Sequence, residues 1–122
     1  MTVLEAIGLA DEMKPNSVPQ GMKVRWLCML DELIWRNVLR THGRRGEFVP
    51  YDPDTDLHRE LLVKAPYDTL YRRWLEAQID LSNGEYERYN AQITVFSDEY
   101  AAFENDYHRN HRPVRRGRRF VF

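Results

Sequence analysis

Cysteine is almost absent from this chain. Cys28 stands alone among 122 residues, so no internal disulfide forms, and a reducing compartment suits the chain. Within an apolar helical stretch, a lone cysteine reads as core. Long hydrophobic runs are missing too. No stretch approaches the roughly 18 apolar residues that cross a bilayer, so no membrane partner is expected. The first residues, with Glu5 and Asp11 among them, lack the basic-then-apolar order of a secretion signal, and the chain is expected to stay where it is made. Acids are absent beyond Asp106. Residues 1–108 hold twelve basic and nineteen acidic side chains, a net charge of −7, whereas residues 109–122 carry six arginines and a charge of +6. An arginine cluster of this kind seeks phosphate or carboxylate surfaces.

What is present suits one domain with appendages. Apolar residues make up 43% and charged residues 30%, a globular balance, while a mean hydropathy of −0.67 indicates a thin core and a large solvated surface. The pattern predicts an all-α fold: a small helical bundle over residues 1–111 with a long antiparallel helical hairpin, a long central loop, and an extended basic tail over 112–122. A first helix is expected over residues 2–13, with Thr2 as N-cap, Glu5 closing a capping box, and Leu4, Ile7 and Ala10 on one face. Pro15 stops it. A second, central helix follows over residues 19–41, its apolar band from Val24 to Leu39 too wide for one shallow contact. His42 and Gly43 end it.

Residues 43–56 hold two glycines, two prolines and four acids around Phe48, Val49 and Tyr51. Loops above about 12 residues in compact domains are commonly functional or disordered. This one is therefore either a mobile surface loop or a contact element presenting Arg44, Arg45, Phe48 and Tyr51, with room for a short β-hairpin. Beyond it, Pro66 is placed at a helix start, where its missing N–H costs nothing. Tyr67, Leu70, Trp74, Ala77 and Leu81 then alternate at spacings of three and four, widened by Tyr71, Leu75 and Ile79. Ser82 with Glu85 reads as a second capping box across Asn83 and Gly84, breaking the helix in two. The second arm carries the strongest periodic signal: Tyr86, Tyr89, Ile93, Phe96, Tyr100, Phe103 and Tyr107, over about 38 Å at 1.5 Å per residue. An aromatic stripe of this kind marks packing, in a core or against another copy, and no chemistry.

Past Pro113 helical periodicity ends. Arg112, Arg115, Arg116, Arg118 and Arg119 precede Phe120, Val121 and Phe122, so an arginine patch meets a strand-prone apolar end. That combination points to docking on an acidic protein surface, with sequence-independent contact to nucleic-acid phosphate as the rival. Catalytic constellations are missing. His108 and His111 share a helix face without a third ligand, and His42 and His58 flank the loop with no nucleophile beside them. Nucleotide-loop, zinc-protease and serine-hydrolase motifs are absent, and Asp52, Asp54 and Asp56 lack the glycine and distal glutamate of a calcium loop. No enzyme, cofactor or metal site is expected.

The stretch from Leu61 to Pro113, above all Pro66, Tyr67 and Tyr71, then Trp74 to Ile79, then Asn83 to Asn90, together with the upstream Met22 to Gly43, resembles small head-to-tail connector proteins encoded beside capsid genes in tailed phages. The resemblance covers residues 2–113. It implies a helical-bundle subunit that assembles, commonly as a ring of about twelve copies, beneath the portal after the genome is packaged and extends the DNA exit channel. It further implies a virion neck location after synthesis in the host cytoplasm, and docking of Arg112 to Phe122 on the portal protein. Loops would reach the lumen or the next connector, a stopper or tail protein. The many arginines depart from the family pattern and leave open non-specific contact with channel DNA. The alternative is a small sequence-independent DNA-binding accessory protein using the same arginines.

Overall fold

In the computed structural model, which describes residues 1–111, four α-helices carry the fold and no strand forms among the described residues. The first helix, α1 (Val3–Met13), begins as its sequence requires. Glu5 N–H donates to Thr2 Oγ1 at 3.1 Å and Thr2 N–H to Glu5 Oε1 at 2.8 Å, satisfying two helix-end donors reciprocally. These bonds hold the Glu5 carboxyl below its ordinary range. The face turned inward is Val3, Ala6, Ile7 and Ala10, while Leu4 faces solvent. Spacing alone admitted Leu4, but the tight packing of Ala6 and Ala10 rotates it outward.

The central helix, α2 (Gln20–Ile34), buries Val24, Leu27, Leu30 and Ile34, whereas Cys28 is only half-buried. It continues through a π-helical turn, Trp35–Leu39, and a 3-10 turn, Arg40–His42, to Gly43, whose φ of 98° supplies the left-handed cap. Trp35, Val38, Leu39 and His42 are all buried there.

Residues 43–68 contain no helix and no β-hairpin; their one β-bridge pairs Thr2 with Glu60. Backbone bonds fasten the segment to the N-terminus: Val3 N–H to Arg59 O at 3.1 Å, Leu4 N–H to Leu57 O at 2.9 Å and Leu61 N–H to Met1 O at 2.9 Å. Leu61 and Val63 are thereby buried. The three alternating aspartates build a turn instead of a cation site. Asp52 Oδ1 accepts from the Asp54 and Thr55 amides, and Asp56 Oδ2 accepts from the Asp52 amide at 2.7 Å.

Pro66 follows a cis peptide bond in the turn before α3 (Thr69–Ser82) and does not occupy its first helical position. The capping box assigned to Ser82 and Glu85 is absent: Ser82 Oγ donates back to Ile79 O. The break belongs to Gly84 (φ 74°). Its N–H reaches Leu81 O, and Glu85 N–H reaches Asp80 O at 2.9 Å, the paired bonds of a Schellman motif. A Gly-terminated helix was misread as a Ser-initiated one because Asn83 and Gly84 sit inside both patterns. The last helix, α4 (Tyr86–Asn110), is 25 residues long, about 37 Å at the helical rise. It runs against α3 in the opposite sense, since Trp74 meets Phe96, Tyr67 meets Phe103, and Gln92 Nε2 donates to Glu76 Oε1.

Buried charge ties the helices together. Lys14 Nζ at the end of α1 lies 2.8 Å from Asp80 Oδ1 on α3, and Asp80 is fully buried. Lys23 on α2 bonds Asp11 of α1 at 2.7 Å. Arg72 pairs with the buried Glu76 at 2.9 Å one turn apart within α3, and Gln92 on α4 donates to the same carboxylate. Such pairs position elements, and removing one partner is costly because it strands the other charge in low dielectric.

Candidate functional site

The deepest polar group is Asp31 on α2. It accepts the Tyr51 hydroxyl at 2.5 Å, the Tyr71 hydroxyl at 2.6 Å and the Leu62 amide at 3.1 Å. Tyr71 Oη in turn accepts the Val63 amide at 2.8 Å. One carboxylate thus joins α2, α3 and two points of the 43–68 segment. Burial pushes the Asp31 pKa up, against the lowering pull of its three donors, and burial beside that charge pushes both tyrosine hydroxyls up. Acidic chemistry has no access here, because Asp31 is closed off and all its bonds are internal. It is a pin. The hydrophobic periodicity of α2 skips Asp31, so nothing in the pattern flagged it.

Among the loop-contact residues, Tyr51 is therefore a core residue, 5% exposed, and Phe48 packs edge-on against it at 5.4 Å between ring centres. Arg59 lies over the outer face of the Tyr51 ring. Neither Tyr51 nor most of Phe48 is free for a partner, since an aromatic amid polar turn residues finds the core when its hydroxyl has a buried acceptor. Arg44 and Arg45 are exposed, Arg44 with its guanidinium 5.6 Å from the Trp35 ring centre.

The aromatic stripe divides. Phe96 and Phe103 are buried; Tyr67, Trp74, Tyr89, Ile93 and Tyr100 are half-buried; and Tyr86 is 65% exposed. Trp74 Nε1 donates to Trp26 O at 2.9 Å. The centre of the α3 face is Leu70, Tyr71, Leu75 and Ile79, all fully buried, with Leu81 outside it. Spacing treated every aromatic alike, but the tip of the α3–α4 pair extends past any neighbour able to cover Tyr86 and Leu81.

A cavity of about 440 Å³ opens between the end of the α2 extension, the turn at 64–67 and the last turns of α4. Leu39, Leu62, Pro66, Tyr67, Phe103 and Tyr107 supply its apolar wall, and Arg44, Lys64, Asp106 and His111 its charged or polar rim. At its base His42 Nε2 lies 2.6 Å from His108 Nδ1, and His42 Nδ1 lies 2.6 Å from Val38 O. Carbonyl oxygens only accept, so His42 carries a proton on Nδ1 toward Val38, and a single proton between His42 Nε2 and His108 Nδ1 makes the second bond. His108 and His111 do not act together: His111 stacks on Tyr107 at 3.9 Å. The His42–His108 bond spans 66 positions, which spacing has no means of finding. No cluster of three metal-capable side chains exists among the described residues, and no described helix is long and apolar enough to cross a membrane.

His111, on the cavity rim, is the last described residue. The tail residues Arg112, Arg115, Arg116, Arg118, Arg119, Phe120, Val121 and Phe122 lie outside the described residues. No family model, no curated protein and no solved structure matches the chain.

Proposed function

We propose that this chain is a structural subunit of the tailed-phage neck, a head-to-tail adaptor that forms a ring beneath the portal and extends the DNA channel. One observation carries the reading. The residues of the family resemblance are the ones that shape the α3–α4 pair: Pro66 and Tyr67 form the entry turn, Tyr71 bonds Asp31, Trp74 bonds α2, and Gly84 makes the reversal. A motif spent on holding a long helical hairpin against a small bundle suits a subunit that works by assembly. Glu76, within the motif, and Asp80, just beyond its Trp74 to Ile79 part, are buried in ion pairs and not displayed in a cleft.

In this role the long central loop is a fixed surface, laced to the N-terminus and pinned at Asp31. Arg44 and Arg45 are its exposed cations, available to the lumen or to the next connector. Residues 112–122 dock on the portal, their arginines on acidic groups and Phe120 to Phe122 in an apolar recess or on a strand edge. The subunit carries no reaction and no cofactor. Purified portal complexes should capture the full chain and lose that capture when residues 112–122 are deleted. Binding to any duplex with a steep salt dependence, and no portal capture, would instead favour the DNA-binding accessory reading, which the charge of +6 over residues 109–122 keeps in contention.

A further inference from the structure

The central helix has two apolar sides. One fills the core; the other shows Met22, Met29 and Leu33 to solvent, 40%, 53% and 45% exposed, with half-buried Trp26 between them. Met22, Trp26, Met29, Leu33 and Arg36 follow spacings of four and three, so they form one stripe along α2 and into the turn beyond it, where the π-helical turn at Trp35–Leu39 takes Arg40 out of register. Large apolar side chains repeated on successive exposed turns are unusual on a lone domain and mark a contact surface. Methionine, unbranched and polarizable, adapts to irregular partners.

Another stripe has the same spacing. On α4, turned away from Phe96 and Phe103, Glu87, Ala91, Thr94, Asp98, Ala101 and Asn105 follow the identical four-three rhythm and are all exposed. Their side chains are small where those of α2 are large. Charges complement as well: Arg25 and Arg36 border the α2 stripe with one exposed acid, Glu32, which Arg36 bonds at 2.9 Å, while the α4 stripe carries Glu87 and Asp98 and no cation. We infer that the outer stripe of α2 docks against the outer stripe of α4 on a second copy of this chain. The two surfaces differ, so each copy keeps one of each unused after pairing, and the contact propagates head to tail until a ring closes. The inference rests on the ring reading above for its biological meaning, but not for its geometry.

A stripe one helix wide falls short of the roughly 800 Å² per partner of a stable interface. Free chain should therefore associate weakly, and covalent trapping is the suitable readout. In a Cys28→Ser background, Leu33→Cys with Ala101→Cys should give, on mild oxidation of concentrated protein, a ladder of trimers and larger species, whereas either cysteine alone stops at dimers. Arg36→Glu should reduce the ladder about tenfold, and adding Asp98→Arg should restore it, a swap that a misfolded variant would not rescue. The ladder should survive deletion of residues 112–122, which excludes the chain's own tail as occupant. Absence of species beyond dimer in a folded double-cysteine protein overturns the inference, as does a ladder indifferent to Arg36→Glu or lost with the tail. Portal capture without a ladder would remove this surface and leave the adaptor reading standing; a ladder without portal capture would do the reverse.

Discussion

Replacing Tyr71 by Phe removes one oxygen and leaves two groups without their partner. The Val63 amide loses its acceptor, and Asp31 Oδ1 loses its only hydroxyl donor among the described residues, both in a region closed to water. Stranding a buried donor or acceptor costs about 1–3 kcal/mol each, so the pair amounts to about 2–6 kcal/mol. For a domain of this size, with a Tm shift of roughly 4 °C per kcal/mol, the melting temperature should fall by about 8–24 °C. Tyr86→Phe is the control, since Tyr86 is exposed and should change nothing measurable. Thermal unfolding followed by circular dichroism, with urea titration for the free energy, measures both. Tyr51→Phe strips only one bond from Asp31 and should fall between them, and the double variant should show coupling because both hydroxyls serve one carboxylate. Equal melting temperatures for Tyr71→Phe and Tyr86→Phe would refute the claim that Asp31 pins the fold.

Other consequences test other joints. Asp31 has a folded pKa above its ordinary value of 3.8, so the folded state holds the proton more tightly. The stability this adds is complete below 3.8 and is lost as pH rises from there through the folded pKa. The stability of the natural chain relative to Asp31→Asn should accordingly decline with rising pH across that window, as read by urea titrations at several pH values. Lys14→Met leaves Asp80 buried without its cation and should cost about 3–5 kcal/mol, with Asp80→Asn in the same chain recovering a good part. Gly84→Ala has free space for its methyl but must hold a φ of 74°, which costs about 1 kcal/mol. Gly8→Ala, in the middle of α1 with nothing within 4 Å, should instead raise stability by about 0.5–1 kcal/mol.

The helices were legible because their signals are local. Thr2 and Glu5 announce α1, Gly43 ends the α2 extension, and the three-four spacing of Tyr67 to Tyr107 marks two helices with one apolar side each. Local signals also misled. Ser82 and Glu85 have capping-box spacing but stand at a C-terminal glycine motif, and Pro66 sits three residues ahead of the helix it was assigned to open. Long-range polar pairing was invisible. Asp31 finds Tyr51 and Tyr71 across 20 and 40 positions, Lys14 finds Asp80, and His42 finds His108; each partnership depends on tertiary placement that periodicity does not encode. Tyr51 shows the cost of that blindness, because its polar surroundings in sequence suggested an exposed contact and its hydroxyl's buried acceptor took it inward.

Electron microscopy of the full chain incubated with purified portal complexes tests the adaptor reading most directly. A ring of defined rotational symmetry should appear beneath the portal, extend its channel, and vanish when residues 112–122 are removed. Bare portals at saturating chain, together with salt-sensitive binding to duplex DNA, would contradict it.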